Sequence, residues 1–461
     1  MIKYTLALVF LIPTVLFSQI AVDNTTKNID QLLQDILGGN GVVISNVQVN
    51  GGAGNVTNEQ IGEFTTSNGA IDIASGLIMG SGDVKMAEQS NTSGGAALGG
   101  GGFTNVATDV DLLSLDINGN GIFDQAVVEF DFVPAGSVLT FNYIFASEEY
   151  EEYVCGSVND AFAFFVTGTN PAGGNYTAEN VALVPDPNNP GFYTSTFVSI
   201  NTITPGVAGA NGMASQCDAI DPDWKDYAIY YTPNTSGNYE YDGRTVILPV
   251  AFPVVCGETY HLKLAIGDGG DSSFDSGVFI EAGSFSSQPV ELSANVGTED
   301  RILYESCEES YFVLSRPTNL GTIQVDAVVT GIAKNGEDYK EIPLEYTLDQ
   351  GEFRDTIWIK PRYDGISEGN ELVKVTVIVE DCGNIFEVVD SLWIADYIYL
   401  DSQMPDSLNI CTALGESALI TATTIDGLEP FTYTWSNGES TKSVNLNPDL
   451  TTIYIMTVED E

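Results

Sequence analysis

The sequence predicts an all-β protein: a large jelly-roll-like β-sandwich with a short N-terminal helix, followed by two smaller immunoglobulin-like β-sandwiches. Three observations point there. From Gly38 onward, Gly, Asn, Pro and Ser punctuate the chain at short intervals, and the apolar residues between them recur with a period of two. The 461 residues suffice, at roughly 150 per domain, for about three domains.

Taken in order, residues 1–18 read as a secretory signal. Lys3 supplies a positive start, Thr5 to Phe17 an apolar run broken by Pro13, and Ser18 a small residue before Gln19. The run is shorter than the ~20 residues a membrane span needs, so the mature chain is expected outside the cytoplasm, extracellular or at the cell surface, without inserting into a membrane. Asn28 as N-cap, Ile29, Leu32, Leu33 and Ile36 on one face, and Gly38 as stop predict a helix; Asp109 to Leu115 predicts a second short one. Val128, Phe130 and Phe132 alternate in one strand, and Leu139, Phe141, Tyr143 and Phe145 in the next. Tyr260, Leu262, Leu264 and Ile266 form a third, which sets His261 and Lys263 opposite the core. Residues 19–287 make the first unit, with Ser284 to Pro289 a linker-like stretch, residues 290–396 the second and 397–461 the third. The chain is expected to continue past Glu461, with a cysteine soon after that pairs with Cys411.

The charge narrows the function. Against 64 Asp and Glu stand 15 Lys and Arg, a net charge of −49, while 43% of residues are hydrophobic, so the acids decorate folded domains. Such a surface repels phosphate backbones and anionic headgroups, which excludes nucleic acid as a partner. His261 is the only histidine, so no HExxH or multi-histidine zinc site exists. Hard cations remain, because binding Ca²⁺ relieves the repulsion among crowded carboxylates.

Carboxylates gather in three places. Phe145–Asp160 (FASEEYEEYVCGSVND) and the later IGDGGDSSFDSG both follow strong strands, and offer Glu148, Glu149, Asp160, Asp268, Asp271 and Asp275. If the two strand ends are neighbours, these oxygens form a Ca²⁺ site; otherwise they are solvated loop acids. Asp116–Asp124 (DINGNGIFD) matches the start of a Ca²⁺ loop with Asp116, Asn118, Asn120 and Asp124, or else an ordinary Asn-Gly turn, since the twelfth position is Val127 rather than Glu. A glycosidase would need two carboxyls about 5–9 Å apart with one pKa raised, and adjacent glutamates on a strand point to opposite faces. Gly365–Gly369 (GISEG) is no hydrolase elbow, because the sole histidine precedes it, and the run Gly99–Gly102 lacks a phosphate loop's ending. Trp224, Tyr227, Tyr230 and Tyr231 either stack on sugar rings or enter the core.

The six cysteines, Cys155, Cys217, Cys256, Cys307, Cys382 and Cys411, are widely spaced with no CxxC pair, which in an exported chain predicts structural disulfides. Among the three of the first unit, each pairing stays open.

Several segments carry a resemblance. ILGGNGVVISNV, SGLIMGSGDV, VVEFDFVPAGSVLTFNYIFASEEYEEYV, NDAFAFFVTG and YHLKLAIGDGGDSSFDSGVFIEAGSF, in that order over roughly residues 28–287, resemble the choice-of-anchor L domain. The resemblance implies an exported bacterial protein with a variable C-terminal anchor or sorting signal, often cargo of type IX secretion, and no established activity. NGEDY (Asn335–Tyr339), IWIKPRYDG (Ile357–Gly365) and EGNE (Glu368–Glu371) make the second unit similar to a Calx-beta module. That similarity implies a β-sandwich with Ca²⁺-binding acids at one end, here Asp338, Asp364, Glu368 and Glu371. The usual Asp-Asp pair is reduced to Asp364-Gly365. Cys307 and Cys382 flank this unit and are expected to bridge it. The last segment, PFTYTWSNGESTKSVNLNPDLTTIYIMTVED, resembles an immunoglobulin-like or polycystic-kidney-disease-type repeat.

The expected function is therefore a secreted or cell-surface, non-enzymatic protein for adhesion to extracellular polysaccharide or protein, with Ca²⁺ as a structural ion. The competing expectation is a carbohydrate-active enzyme with accessory sandwich modules.

Overall fold

Alternation along three strands builds the first core. In the computed structural model, which describes residues 19–49, 59–67, 69–91, 109–116, 118–235, 237–297, 300–306, 309–319, 321–396, 400–405, 407–409, 416–427 and 430–460, Phe130 and Phe132 pair with Leu262 and Tyr260 and are fully buried. They lie on a five-stranded sheet ordered β2 (Val42–Val49), β5 (Ile122–Pro134), β14 (Tyr260–Gly269), β7 (Ala161–Thr169) and β8 (Asn175–Asn180). The facing eight-stranded sheet runs β1 (Ile20–Asp23), β3 (Ile61–Thr66), β4 (Ser75–Gly80), β15 (Ser276–Glu281), β6 (Val138–Ser147), β12 (Gly243–Thr245) and β11 (Tyr231–Pro233), with β13 (Leu248–Pro253) also on β6. A small pair, β9 (Leu183–Pro185) and β10 (Tyr193–Phe197), sits apart. Between the sheets, Phe141 meets Phe164 at 4.8 Å edge-on and Phe145 stacks on Phe162 at 4.9 Å, geometries that add to area burial. The outer face of β6 and β15 is covered too. Ile144, Ala146 and Phe279 pack with Ile71, Met86 and Tyr241, which is why these strands read as near-continuous apolar runs.

The first helix forms where expected. Asn28 and Gln31 make a reciprocal capping box, and α1 (Ile29–Gln31) continues as a π-helical turn, Leu32–Leu37, before Gly38 ends it. Asp109 caps α2 (Val110–Leu113), and Lys263, on the outer face as expected, bridges Asp109 and Asp111 at 2.7 Å each. His261 is clamped between Glu129 and Asp131 at 2.9 Å.

The second unit is a smaller sandwich. One sheet orders β16 (Glu291–Asn295), β18 (Ser310–Ser315) and β21 (Arg354–Ile359); the other orders β17 (Ile302–Tyr304), β23 (Asn384–Ala395), β22 (Glu371–Asp381), β19 (Ile323–Gly331) and β20 (Glu345–Leu348). The third unit holds three strand pairs: β24 (Asp401–Gln403) with β26 (Thr423–Asp426), β25 (Ala418–Thr421) with β28 (Ser443–Leu446), and β27 (Thr432–Trp435) with β29 (Met456–Glu459). Trp435, Val444 and Leu446 form its small core.

The stretch read as a linker, Ser284–Pro289, is instead part of the first unit. Phe285 packs against Phe130, Phe132 and Phe141, and the Ser287 hydroxyl accepts from the Ala135 and Gly136 amides. The turn between β22 and β23 leans on the same place. Asp381 accepts from the Ser137 amide at 2.6 Å, and Asn384 donates to the Ala135 carbonyl at 2.8 Å. Gly191 is held at φ +83°, and a Cβ there would stand 2.0 Å from the Phe353 ring, so only glycine permits this second contact between the units.

The expected Cys307–Cys382 bridge is corrected. Cys382 bonds Cys256 of the first unit, and Cys155 bonds Cys217. The reason is strand length. Cys382 lies in the turn before β23, whereas Tyr304, three residues before Cys307, pairs with Ala395 at that strand's far end. The 12-residue strand separates Cys382 from Tyr304 by roughly 36 Å, and a disulfide needs Cα atoms within about 7 Å. Residues 1–18, the glycine run 99–102, Cys307 and Cys411 lie outside the described residues, and so do the expectations resting on them alone. Among the described residues, no helix is long and apolar enough to cross a membrane.

Candidate cation centre

Five strand ends meet at one rim of the first sandwich. Because the strands are antiparallel, the end of β14 lies beside the starts of β5 and β7: Asp268 pairs with Phe123, and Gly267 with Ala161. In the facing sheet the end of β6 lies beside the start of β15, with Ser147 opposite Ser276. The loop from β14 to β15 crosses between the sheets, so Asp268 and Asp275 reach the same rim. The acids that flank these strand ends therefore converge, although they are up to 151 positions apart.

They are also buried. Glu148, Glu149, Asp160 and Asp268 are each 1% exposed, and Asp124 and Asp275 5%. Asp160 ties the two sheets together: one oxygen accepts from the Gly269 amide at 3.1 Å and the other from the Ser276 hydroxyl at 2.5 Å. The Glu149 carboxylate is the acceptor for the Asp160 amide at 3.4 Å, and the Glu149 amide donates to the Ser147 hydroxyl at 3.0 Å. Gln60 bridges the Ser81 and Asp124 carbonyls at 2.7 and 3.0 Å. The Asp275 carboxylate packs on Gly82, where a Cβ would stand 2.0 Å from its oxygen. Neither oxygen of Asp268, nor Oδ1 of Asp124, has a hydrogen bond of acceptable geometry among the described residues; the Ser81 hydroxyl only eases the Asp268 charge. No ion pair among the described residues involves Asp124, Glu149, Asp160 or Asp268.

The electrostatic consequence is large. Burial, with repulsion from Asp160 and Asp275, pushes Asp268 well above the carboxylate range. Burial and Asp160 do the same to Glu149. Burial raises Asp160 to about 8 against the pull of its two donors, and burial alone raises Asp124 to about 6. Asp221 gives the contrast. It too is buried, yet donors from Thr196, the Asp223 amide and Tyr227 hold its pKa below the ordinary value. Asp268 and Asp124 lack such a set of donors, and hard oxygen atoms buried without positive charge are suited to a hard cation.

The other sequence-derived candidates separate. Asp271 is exposed at the mouth, where its oxygen accepts from the Ser273 amide and its charge still raises Glu149 and Asp160. The Asp116–Asp124 segment does not close on a single point. The Asp116 side chain accepts from the Asn120 and Gly121 amides, Asn118 and Asn120 both donate to the Ser157 carbonyl, and Asp124 turns inward to the rim. In the second unit, oxygens of Asp338, Asp364 and Glu368 lie within 4.8 Å of one another. Asp338 is buried and accepts from the Lys334 amide at 2.6 Å, while Asp364 and Glu368 are exposed. Glu371 is buried outside this trio and raised to about 6 by burial, Asp338 and Glu368. Asp396, which no motif marked, accepts from the Glu368 and Gly369 amides and from Ser367 of the GISEG segment. Ser276, Gln60 and Tyr241, whose hydroxyl is buried beside Asp275 and Glu148, were equally invisible because no local pattern surrounds them. Trp224 and Tyr227 enter the core.

The choice-of-anchor L domain family matches residues 21–286. No curated protein matches the sequence. Among solved structures, CBD12 from CALX1.2 aligns at 14% identity, 37% of this chain and 75% of that one, TM-score 0.21. The periplasmic chaperone SfaE aligns at 16% identity, 36% and 86%, TM-score 0.18. The CsuC–CsuE chaperone and tip adhesion subunit complex of Acinetobacter baumannii aligns at 8% identity, 35% and 89%, TM-score 0.18. At these TM-scores the likenesses establish neither fold nor function.

Proposed function

This chain belongs to the choice-of-anchor L domain family, and from that premise we propose a surface or extracellular, non-enzymatic protein that makes adhesive contact with polysaccharide or protein and is stabilised by Ca²⁺. The observation that carries the reading is the burial of the rim carboxylates. A glycosidase must present two carboxyls to a sugar in a cleft. Here the densest acids are sealed, and neither the cleft of about 530 Å³ lined by Asn40, Asn142, Tyr193, Glu281, Arg316 and Phe353 among others, nor the one of about 820 Å³ that includes Ser137, Asp326 and Asp381, contains any of them. Oxygen-only ligands from several strands suit Ca²⁺, which takes six to eight of them. The second and third units serve, in this reading, as Calx-beta-like and immunoglobulin-like modules.

Sugar contact fits the outward face of β18 and β21. Trp358 is 47% exposed, its ring lies 4.9 Å from that of Tyr311, and the Asn295 amide donates to the Tyr311 hydroxyl. On a chain of charge −49 such an aromatic platform suits neutral sugar rings. The full chain, in Ca²⁺ buffer, should be retained on neutral polysaccharide without releasing reducing ends, and Trp358→Ala should weaken retention roughly tenfold, the worth of ~1.4 kcal/mol. Reducing-end release that Glu148→Gln abolishes would make the protein an enzyme instead.

A further inference from the structure

Resting on the calcium reading, we propose that the buried rim holds two divalent cations, bridged by Asp268. The first argument is charge. Asp124, Glu149, Asp160 and Asp268 have no cationic partner among the described residues and are at most 5% exposed. Each of these carboxyls is ionised only beside a cation and otherwise keeps a proton; one divalent ion balances two of the four, and two ions balance all four.

The second argument is position. Asp268 lies on β14, the strand between β5 and β7. Asp124 of β5 is on one side of it, and Asp160, immediately before β7, on the other, with Glu149 accepting from the Asp160 amide. Both oxygens of Asp268 are buried without hydrogen bonds, so each can face a different ion. The rim carboxylates are also spread more widely than one coordination sphere. Among the described residues, the trio whose oxygens come within 4.8 Å of one another belongs to the second unit, not to this rim. One ion then sits between Asp268 and Asp160, its charge balanced by the nearby Glu149, and the other between Asp268 and Asp124, with Asp275 and Glu148 facing them from the other sheet.

The test counts ions. The full chain carrying Asp364→Asn and Glu368→Gln, which disables the second unit's trio, is stripped with chelator, returned to Ca²⁺ and weighed by native mass spectrometry. Two bound Ca²⁺ are expected, falling to one in Asp124→Asn and to one or none in Asp268→Asn. A parent that binds a single ion overturns the two-ion centre and leaves the calcium reading standing; a parent that binds none overturns both. Two ions retained in Asp268→Asn would remove the bridge. Should Asp268→Asn fail to fold, the Asp124→Asn count decides.

Discussion

Asp268 and Asp364 are the same side chain in two settings of one chain. Asp268 sits at a rim where two sheets close over it, without a hydrogen bond to either oxygen, whereas Asp364 stands in solvent and caps its own turn through the Ile366 amide at 2.7 Å. Around Asp268 the neighbouring acids are buried as well, and their pKa values climb; around Asp364, Asp338 and Glu371 are covered but Glu368 is not. Closeness of oxygens and demand for a cation are therefore different properties. The second unit's trio is the tighter group, yet two of its members stand in solvent, while the wider rim of the first unit is closed off from bulk solvent.

The sharpest way to break this comparison is to remove the charge with and without metal. Without Ca²⁺, Asp268→Asn should stabilise the first unit at neutral pH, because it deletes a buried carboxyl that has to take up a proton there which the unfolded chain has released. With Ca²⁺ at a hundred times its Kd, two ions should stabilise the parent by about 5 kcal/mol, on the order of 10 °C in Tm, and Asp268→Asn should lose most of that gain. Asp364→Asn should shift the melt by less than ~0.5 kcal/mol in either buffer. Equal responses from the two variants would abolish the distinction.

Next in size is the covalent link between the units. Cys256–Cys382 closes a separation of 126 positions, worth up to roughly 5 kcal/mol in chain entropy. Calorimetry of Cys382→Ser should resolve separate transitions for the two units, only the first of which moves with Ca²⁺. A calcium shift in both transitions would show that the second unit's acids matter as much as the rim.

The last test is the pH response of metal-free protein. A carboxyl raised to about 8, as at Asp160, or about 6, as at Asp124, keeps its proton in the folded chain where the unfolded chain has released it. The native state then binds more protons, so this contribution to stability is complete near pH 4 and is lost as pH rises from about 4 to about 8. Chemical denaturation at pH 5 and pH 8 should show the loss in metal-free protein and its absence in saturating Ca²⁺, where the metal replaces the protons. Stability that rises over this interval without metal would contradict the burial of these groups.

Local chemistry made much of this protein legible. Alternation placed Phe130, Phe141, Tyr143 and Leu264 in the core and His261 and Lys263 outside it, because side-chain direction in a strand is decided residue by residue. Asn28 and Gly38 delimited the first helix by capping, another local effect. The carboxylates were visible at strand ends for the same reason. Only the tertiary structure decided which strand ends are neighbours. It sent Asp124 inward to Asp268 instead of closing the DINGNG turn, gave Cys382 to Cys256, and packed Phe285 into a core that its Ser-rich surroundings disguised. These outcomes depend on sheet order and on register between segments a hundred or more positions apart, such as Asp160 with Gly269, and no short-range pattern encodes them.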